Sequence, residues 1–205
     1  MAHARRMAGD GLSDGMSGNL SIRLPDMIVI TPSGVPYDAM TPADIVVISQ
    51  DGTLPGAKRR RPSTETPMHL AVYHACGPAA GAVAHTHSPY VVALSATSDA
   101  LPAVHYAMAG LGGPVRVTPY ARFGTAELAD RAVAGLAGRS AVILGNHGAL
   151  TYGATLSQAY DRARTLEWLA RVYWLAAQAG QPRTLTEEQL TEVADATREL
   201  RYGEE

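Results

Sequence analysis

Two short runs, Gly81-Ala-Val-Ala-His-Thr-His87 and Ala141-Val-Ile-Leu144, limit the folds open to this chain more than any other feature. Each is apolar at nearly every position before its end, so as a strand it has no polar face to give to water and must be covered on both sides. Segments of helical period surround them. Leu70, Tyr73 and Ala80 fit a helix beginning near Thr64, with Pro67 tolerated in a first turn whose N–H groups lack intrahelical partners. Tyr90 to Leu94 suggests a helix after Ser88-Pro89, and residues 125–135 have helical composition. The clearest helix is 156–179, where Ala159, Ala163, Leu166, Ala170, Tyr173 and Ala177 share one face, Thr155 and Gln158 form a capping box, and Gly180-Gln-Pro182 is a stop. Strands set between helices argue for an α/β layered fold whose sheet is covered on both faces.

Toward the N-terminus the alternation Leu20/Ile22/Leu24 and the run Met27-Ile-Val-Ile30 read as a hairpin, and Ile45-Val-Val-Ile48 as a further strand. Val115-Arg-Val117 is a short strand, and Thr186 with Gln189 caps a last helix ending near Arg201. The expected organisation is one domain over 1–205, with a short, disordered lead-in at 1–16 and a C-terminal helix and tail at 186–205. Seventeen basic against nineteen acidic side chains give a formal net charge of -2, which argues against an electrostatic nucleic-acid binder. The single cysteine, Cys76, excludes an intrachain disulfide framework and suits a reducing compartment. No apolar run reaches the ~20 residues that span a bilayer, so a soluble, cytoplasmic protein is expected.

His85 and His87 are the sharpest chemical signal. Residues i and i+2 of a strand point to one face, so both imidazoles project together from the end of Ala82-Val-Ala84. The spacing suits a pair of metal ligands, and it equally suits two unrelated hydrogen-bonded histidines. His147 follows the second apolar strand; if the two strands are neighbours, three imidazoles converge, as in a catalytic zinc site with open positions. Glu65, in Pro62-Ser-Thr-Glu-Thr66, is either the carboxylate such a site needs or an ordinary glutamate at a helix start, where the dipole favours its ionised form. His69, four residues on, is a partner behind that site or a core histidine. Ser17-Gly-Asn19, Thr31-Pro-Ser-Gly34 and Ser63-Thr64 are ordinary turn chemistry that can also cradle an anion. The basic run Lys58-Arg-Arg-Arg61 either attracts an anionic substrate or faces solvent.

These residues, with Leu101-Pro-Ala-Val-His-Tyr106, Pro119-Tyr-Ala-Arg-Phe-Gly-Thr125 and Asn146-His-Gly148, resemble the motifs of the class II aldolase/adducin family from about Ser17 onward, and within it the branch acting on L-fuculose 1-phosphate. The resemblance implies a three-layer α/β/α fold with a mainly antiparallel or mixed sheet. It also implies one Zn2+ per subunit on His85, His87 and His147, with Glu65 as acid/base. Asn19, Ser33, Gly34, Ser63 and Thr64 would bind phosphate. Tyr106 would enter from a neighbouring subunit of a homotetramer, and Tyr202 would close over the aldehyde. The implied reaction cleaves a ketose 1-phosphate to dihydroxyacetone phosphate and an aldehyde such as L-lactaldehyde. Lys58 is the only lysine and lies in a polar loop, which independently disfavours a Schiff-base mechanism. Related alternatives are a 5-deoxypentulose-1-phosphate aldolase, an L-ribulose-5-phosphate 4-epimerase, a 5-methylthioribulose-1-phosphate dehydratase and a non-catalytic adducin-like module. The epimerases typically carry Asp where Glu65 stands, and a non-catalytic module should have lost the histidines.

Overall fold

A computed structural model of the chain describes residues 1–56 and 60–200. The expected hairpin is present as β1 (Asn19–Arg23) and β2 (Met27–Ile30), antiparallel with Ser21 opposite Ile30. Strand β3 (Val46–Ser49) extends it. Helix α2 (Thr66–Cys76) precedes β4 (Ala82–Thr86), the first apolar run, and α3 (Pro89–Ser95) follows it. The remaining strands are β5 (Ala100–Leu101), β6 (Val115–Thr118), β7 (Ala141–Leu144) and β8 (Gly148–Gly153), with α4 (Ala126–Gly135) between β6 and β7. Helices α5 (Leu156–Ala179) and α6 (Glu187–Glu199) complete the C-terminal part.

The described strands form one sheet in the order β3-β2-β1-β4-β8-β7-β6-β5. Its pairings are antiparallel except β6 with β7, which are joined through α4 and run parallel. Every residue of β4 and β7 is buried, as the lack of a polar face requires. The alternation along β4 assigns its two faces. Val83 packs with Met68, Val72 and Tyr73 of α2 and with Leu128 and Ala132 of α4. Ala82 and Ala84 pack with Ala159, Tyr160 and Ala163 of α5. Helices α2 and α4 therefore cover one face and α5, with α3 beside it, the other, giving a three-layer α/β/α fold with a mixed, mainly antiparallel sheet.

Three features depart from the sequence expectations. Residues 2–9 form a helix, α1 (Ala2–Gly9), rather than part of a disordered lead-in, because Ala4 and Met7 bury against Leu12, Leu20 and Tyr160. Strands β5 and β8 had no counterpart in the sequence reading, and β8 inserts between β4 and β7. At the start of α5 the box is half-made: Thr155 Oγ1 accepts from Gln158 N–H, but the Gln158 side chain reaches the N–H of Ala154 instead of closing back on Thr155. The Thr186/Gln189 box is reciprocal. Among the described residues no helix is long and apolar enough to cross a membrane.

Candidate metal centre and adjoining cleft

The three histidines meet because of a turn rather than because their two apolar strands are adjacent. His85 lies in β4 and His87 just past its end, on the same face as Val83. Residues 145–147 turn from β7 into β8, and β8 pairs with β4 so that Ala149 lies opposite Thr86 and Leu150 opposite His85. Asn146 adopts a left-handed φ of 51°, which asparagine tolerates better than most residues. Beside it, a Cβ on Gly148 would stand 2.2 Å from the Thr86 carbonyl oxygen. Glycine therefore lets the turn come close enough to β4 for His147 to join the other two.

Glu65 arrives from the helix layer that covers this face, at the N-cap position of α2. One ligand atom from each of Glu65, His85, His87 and His147 lies within 4.8 Å of all the others. His85 Nδ1 donates to the Ala149 carbonyl at 2.8 Å, which turns its Nε2 lone pair toward the cluster. That Nε2 stands 2.9 Å from His87 Nε2 and 2.9 Å from Glu65 Oε2. Glu65 Oε1 is 3.2 Å from His147 Nε2, yet it is buried without a hydrogen bond. Lone pairs and an anionic oxygen at such distances repel unless a positive charge lies among them. A proton answers that need in part: burial opposes charge on His85, but Glu65 raises its basicity. Burial likewise works against the Glu65 anion, and the His85 charge, the nearby His147 imidazole and the amide N–H of Asn19 outweigh it, holding the carboxyl far below its usual range. His87 is pushed down to about 3 by burial and by His85 and His147. Three imidazole nitrogens with one carboxylate, one oxygen of it unpartnered, also fit a divalent cation, and zinc among the common ones.

A cleft of about 350 Å³ opens beside the cluster. Asn19, Ser33, Gly34, Ser63, Thr64, Glu65, His87 and His147 all line it, while His85 lies fully buried behind. The two hydroxyl-bearing loops are clipped together: Ser33 N–H donates to the Arg61 carbonyl and Ser63 N–H to that of Thr31. Ser63 Oγ accepts from the N–H of Glu65, fixing the carboxylate's backbone. Tyr106 is not part of this cleft; it is exposed, with its ring against His105, which in turn meets Trp168 edge-on. Tyr202 lies outside the described residues, as do Lys58 and Arg59. Arg60 pairs with Asp44 at 2.8 Å rather than facing the cleft. Sequence reading assigned no role to Met16, Tyr120 and Phe123, which are exposed apolar side chains on the cleft wall. Their signal in the sequence was weak, since isolated aromatics in a loop carry no period.

The family model for the Class II Aldolase and Adducin N-terminal domain matches residues 1–174. The 5-deoxy-D-ribulose 1-phosphate aldolase of Bacillus thuringiensis serovar kurstaki is 36% identical over 95% of this chain and 91% of its own. The L-fuculose phosphate aldolase of Escherichia coli is 38% identical over 80% of this chain and 75% of its own. A solved structure of an L-fuculose 1-phosphate aldolase superposes with a TM-score of 0.91 at 34% identity, covering 96% of this chain and 93% of that one.

Proposed function

The chain belongs to the class II aldolase/adducin family, and on that premise we propose that it reversibly cleaves a ketose 1-phosphate, of the L-fuculose 1-phosphate kind, to dihydroxyacetone phosphate and an aldehyde such as L-lactaldehyde. The observation that carries this reading is the position of Glu65, whose carboxylate faces both the histidine cluster and the cleft. His85, His87 and His147 would hold one Zn2+ per subunit, which when bound supplies Lewis-acid charge where substrate oxygens become negative. Glu65 removes or returns the proton at the hydroxymethyl carbon of dihydroxyacetone phosphate. Asn19, Ser33, Gly34, Ser63 and Thr64 bind the phosphate with hydroxyl, amide and backbone N–H donors, which suit a dianion. Tyr106, which does not line the cleft of its own chain, serves the site of a neighbouring subunit in a homotetramer, where it exchanges a proton with the hydroxyl oxygen at the cleaved bond. Tyr202 closes over the aldehyde part. The whole of 1–205 acts as one domain in the cytoplasm.

A second reading, cleavage of a 5-deoxypentulose 1-phosphate, is supported by similarity to the Bacillus aldolase that runs through the C-terminal region as well. The apolar cleft wall of Met16, Tyr120 and Phe123 suits the methyl end of either sugar. The test is a panel of L-fuculose 1-phosphate, 5-deoxyribulose 1-phosphate and L-ribulose 5-phosphate, assayed with zinc-loaded protein for release of dihydroxyacetone phosphate and for epimerisation. Cleavage confined to the 1-phosphates is expected, and their ratio chooses between the two aldehydes. Efficient 4-epimerisation without cleavage would overturn the aldolase reading.

A further inference from the structure

A line of buried polar side chains runs from Glu65 away from the cleft, between α2 and β1. Glu65, His69 and Tyr73 stand four residues apart along α2, and Asn19 and Ser21 stand two apart on β1, opposite His85 and Val83. Four helical residues advance about 6 Å and two strand residues about 6.6 Å. The rows therefore stay in step, and their side chains interleave in the order Glu65, Asn19, His69, Ser21, Tyr73. Asn19 Nδ2 is 3.0 Å from Glu65 Oε2, and Asn19 Oδ1 is 2.5 Å from His69 Nε2. His69 Nδ1 is 2.7 Å from Ser21 Oγ, which is 2.7 Å from the Tyr73 hydroxyl. None of the side chains in this line belongs to an exposed residue; His69 is 0% accessible.

The line can have only one polarity. A carboxylate accepts and never donates, so Asn19 must turn its NH2 toward Glu65. Its carbonyl oxygen then needs a donor, which is His69 Nε2–H. A neutral imidazole protonated there has a lone pair at Nδ1, so the Ser21 hydroxyl donates to it, and the Ser21 oxygen accepts from Tyr73. Burial and then the charge of His85 push His69 down to about 3, so its ring stays neutral and cannot act as a donor at both ends. Among the described residues, Asn19 is the one hydrogen-bond donor to the Glu65 carboxylate outside the imidazole cluster.

We propose that His69, fixed as the Nε2–H tautomer, is a positioning residue for Glu65: it anchors the Asn19 oxygen so that the amide N–H faces the carboxylate. Without that anchor either end of the amide can turn inward, and a carbonyl facing a carboxylate is repulsive. The inference rests on the acid/base role proposed for Glu65, and its test separates the two.

Long-range 1H–15N spectra of the zinc-loaded full chain, with the His69 signals assigned through His69→Gln, read the tautomer without reference to activity. An Nε2–H pattern at pH 7 is expected; an Nδ1–H pattern or an imidazolium overturns the proposal. His69→Leu removes both hydrogen bonds and should lower kcat about 10–100-fold with zinc content near wild type. His69→Gln, whose amide offers a donor and an acceptor, should recover part of that loss. A wild-type kcat in the Leu variant, or equally slow Leu and Gln variants of equal thermal stability, refutes the positioning role. Should the Leu variant not fold, Ser21→Ala carries the test: a mixed tautomer and a reduced kcat with zinc retained support the proposal, and an unchanged tautomer with wild-type kcat overturns it. Failure of the Glu65 role itself would show instead as wild-type proton exchange in Glu65→Gln, with the His69 tautomer unaffected.

Discussion

At the scale of single residues, Glu65 is held by several forces at once, and each has a separate consequence. Its ionised form is maintained by His85, His147 and Asn19 against the cost of burial, so at neutral pH it is a base from the start rather than a group awaiting deprotonation. Glu65→Gln keeps the shape and removes the basicity. Exchange of solvent deuterium into the hydroxymethyl carbon of dihydroxyacetone phosphate should fall roughly 10²–10⁴-fold, with zinc content near normal by elemental analysis. His147→Ala should lose zinc as well as rate. His69 gives a prediction of the opposite electrostatic kind. Its folded-state basicity is lowered, to about 3, so the unfolded chain binds a proton that the native chain refuses. Stability is then largest above the ordinary histidine range near pH 6.5 and declines as pH falls from there toward 3. In zinc-free protein, urea titrations between pH 6 and 4 should show His69→Gln losing less stability on acidification, by up to about 1.4 kcal/mol per pH unit. Equal slopes would mean that His69 takes up a proton in the native state. The residues Met16, Tyr120 and Phe123 show the limit of reading single positions: nothing local distinguishes an exposed aromatic on a cleft wall from one facing solvent.

The elements of this fold place chemistry through their ends and edges. Strand β1 is the informative case, because Leu20 and Ile22 alternate as a half-buried strand should, which would leave Asn19 and Ser21 facing water. Both are instead buried, Asn19 at 4% and Ser21 at 1% exposure, because α2 lies across that face and supplies hydrogen-bonding side chains at matching intervals. Gly18 leads into this strand with φ of 77°, and a Cβ there would stand 2.7 Å from the His85 carbonyl oxygen and 2.8 Å from Met7 Cε. Gly18→Ala should therefore destabilise the protein by about 1–3 kcal/mol, as strained backbone positions do, and lower zinc affinity by displacing the backbone of β4. Urea unfolding and a zinc titration check both; a wild-type midpoint with wild-type affinity would show that the turn yields without cost. The β7–β8 turn works in the same way, since Gly148 sets the distance at which His147 meets the other ligands.

For the whole molecule, Tyr106 is exposed and does not line the cleft of its own chain, so a shared-site homotetramer makes a sharp prediction. Glu65→Gln and Tyr106→Phe proteins should each be nearly inactive, and mixing them under conditions of subunit exchange should restore part of the activity, because some interfaces then pair an intact Glu65 with an intact Tyr106. Exchange demonstrated by mass labelling with no return of activity would refute the shared site. The layered architecture is legible in the residue order, because apolar strands without a polar face have to be covered twice, and so is the face that His85 and His87 share, because strand geometry has a period of two. The residue order also marks Glu65 at a helix start and the hydroxyl-bearing loops, since caps and turns are written in local residue types. That β8 lies between the two apolar strands and that a tight turn delivers His147 is not written in local residue types, because pairing order depends on contacts between residues distant in sequence. The same holds for His69: whether a buried histidine is packing or a directed hydrogen-bond partner depends on what faces it from another element, and here that is Asn19 and Ser21 of β1.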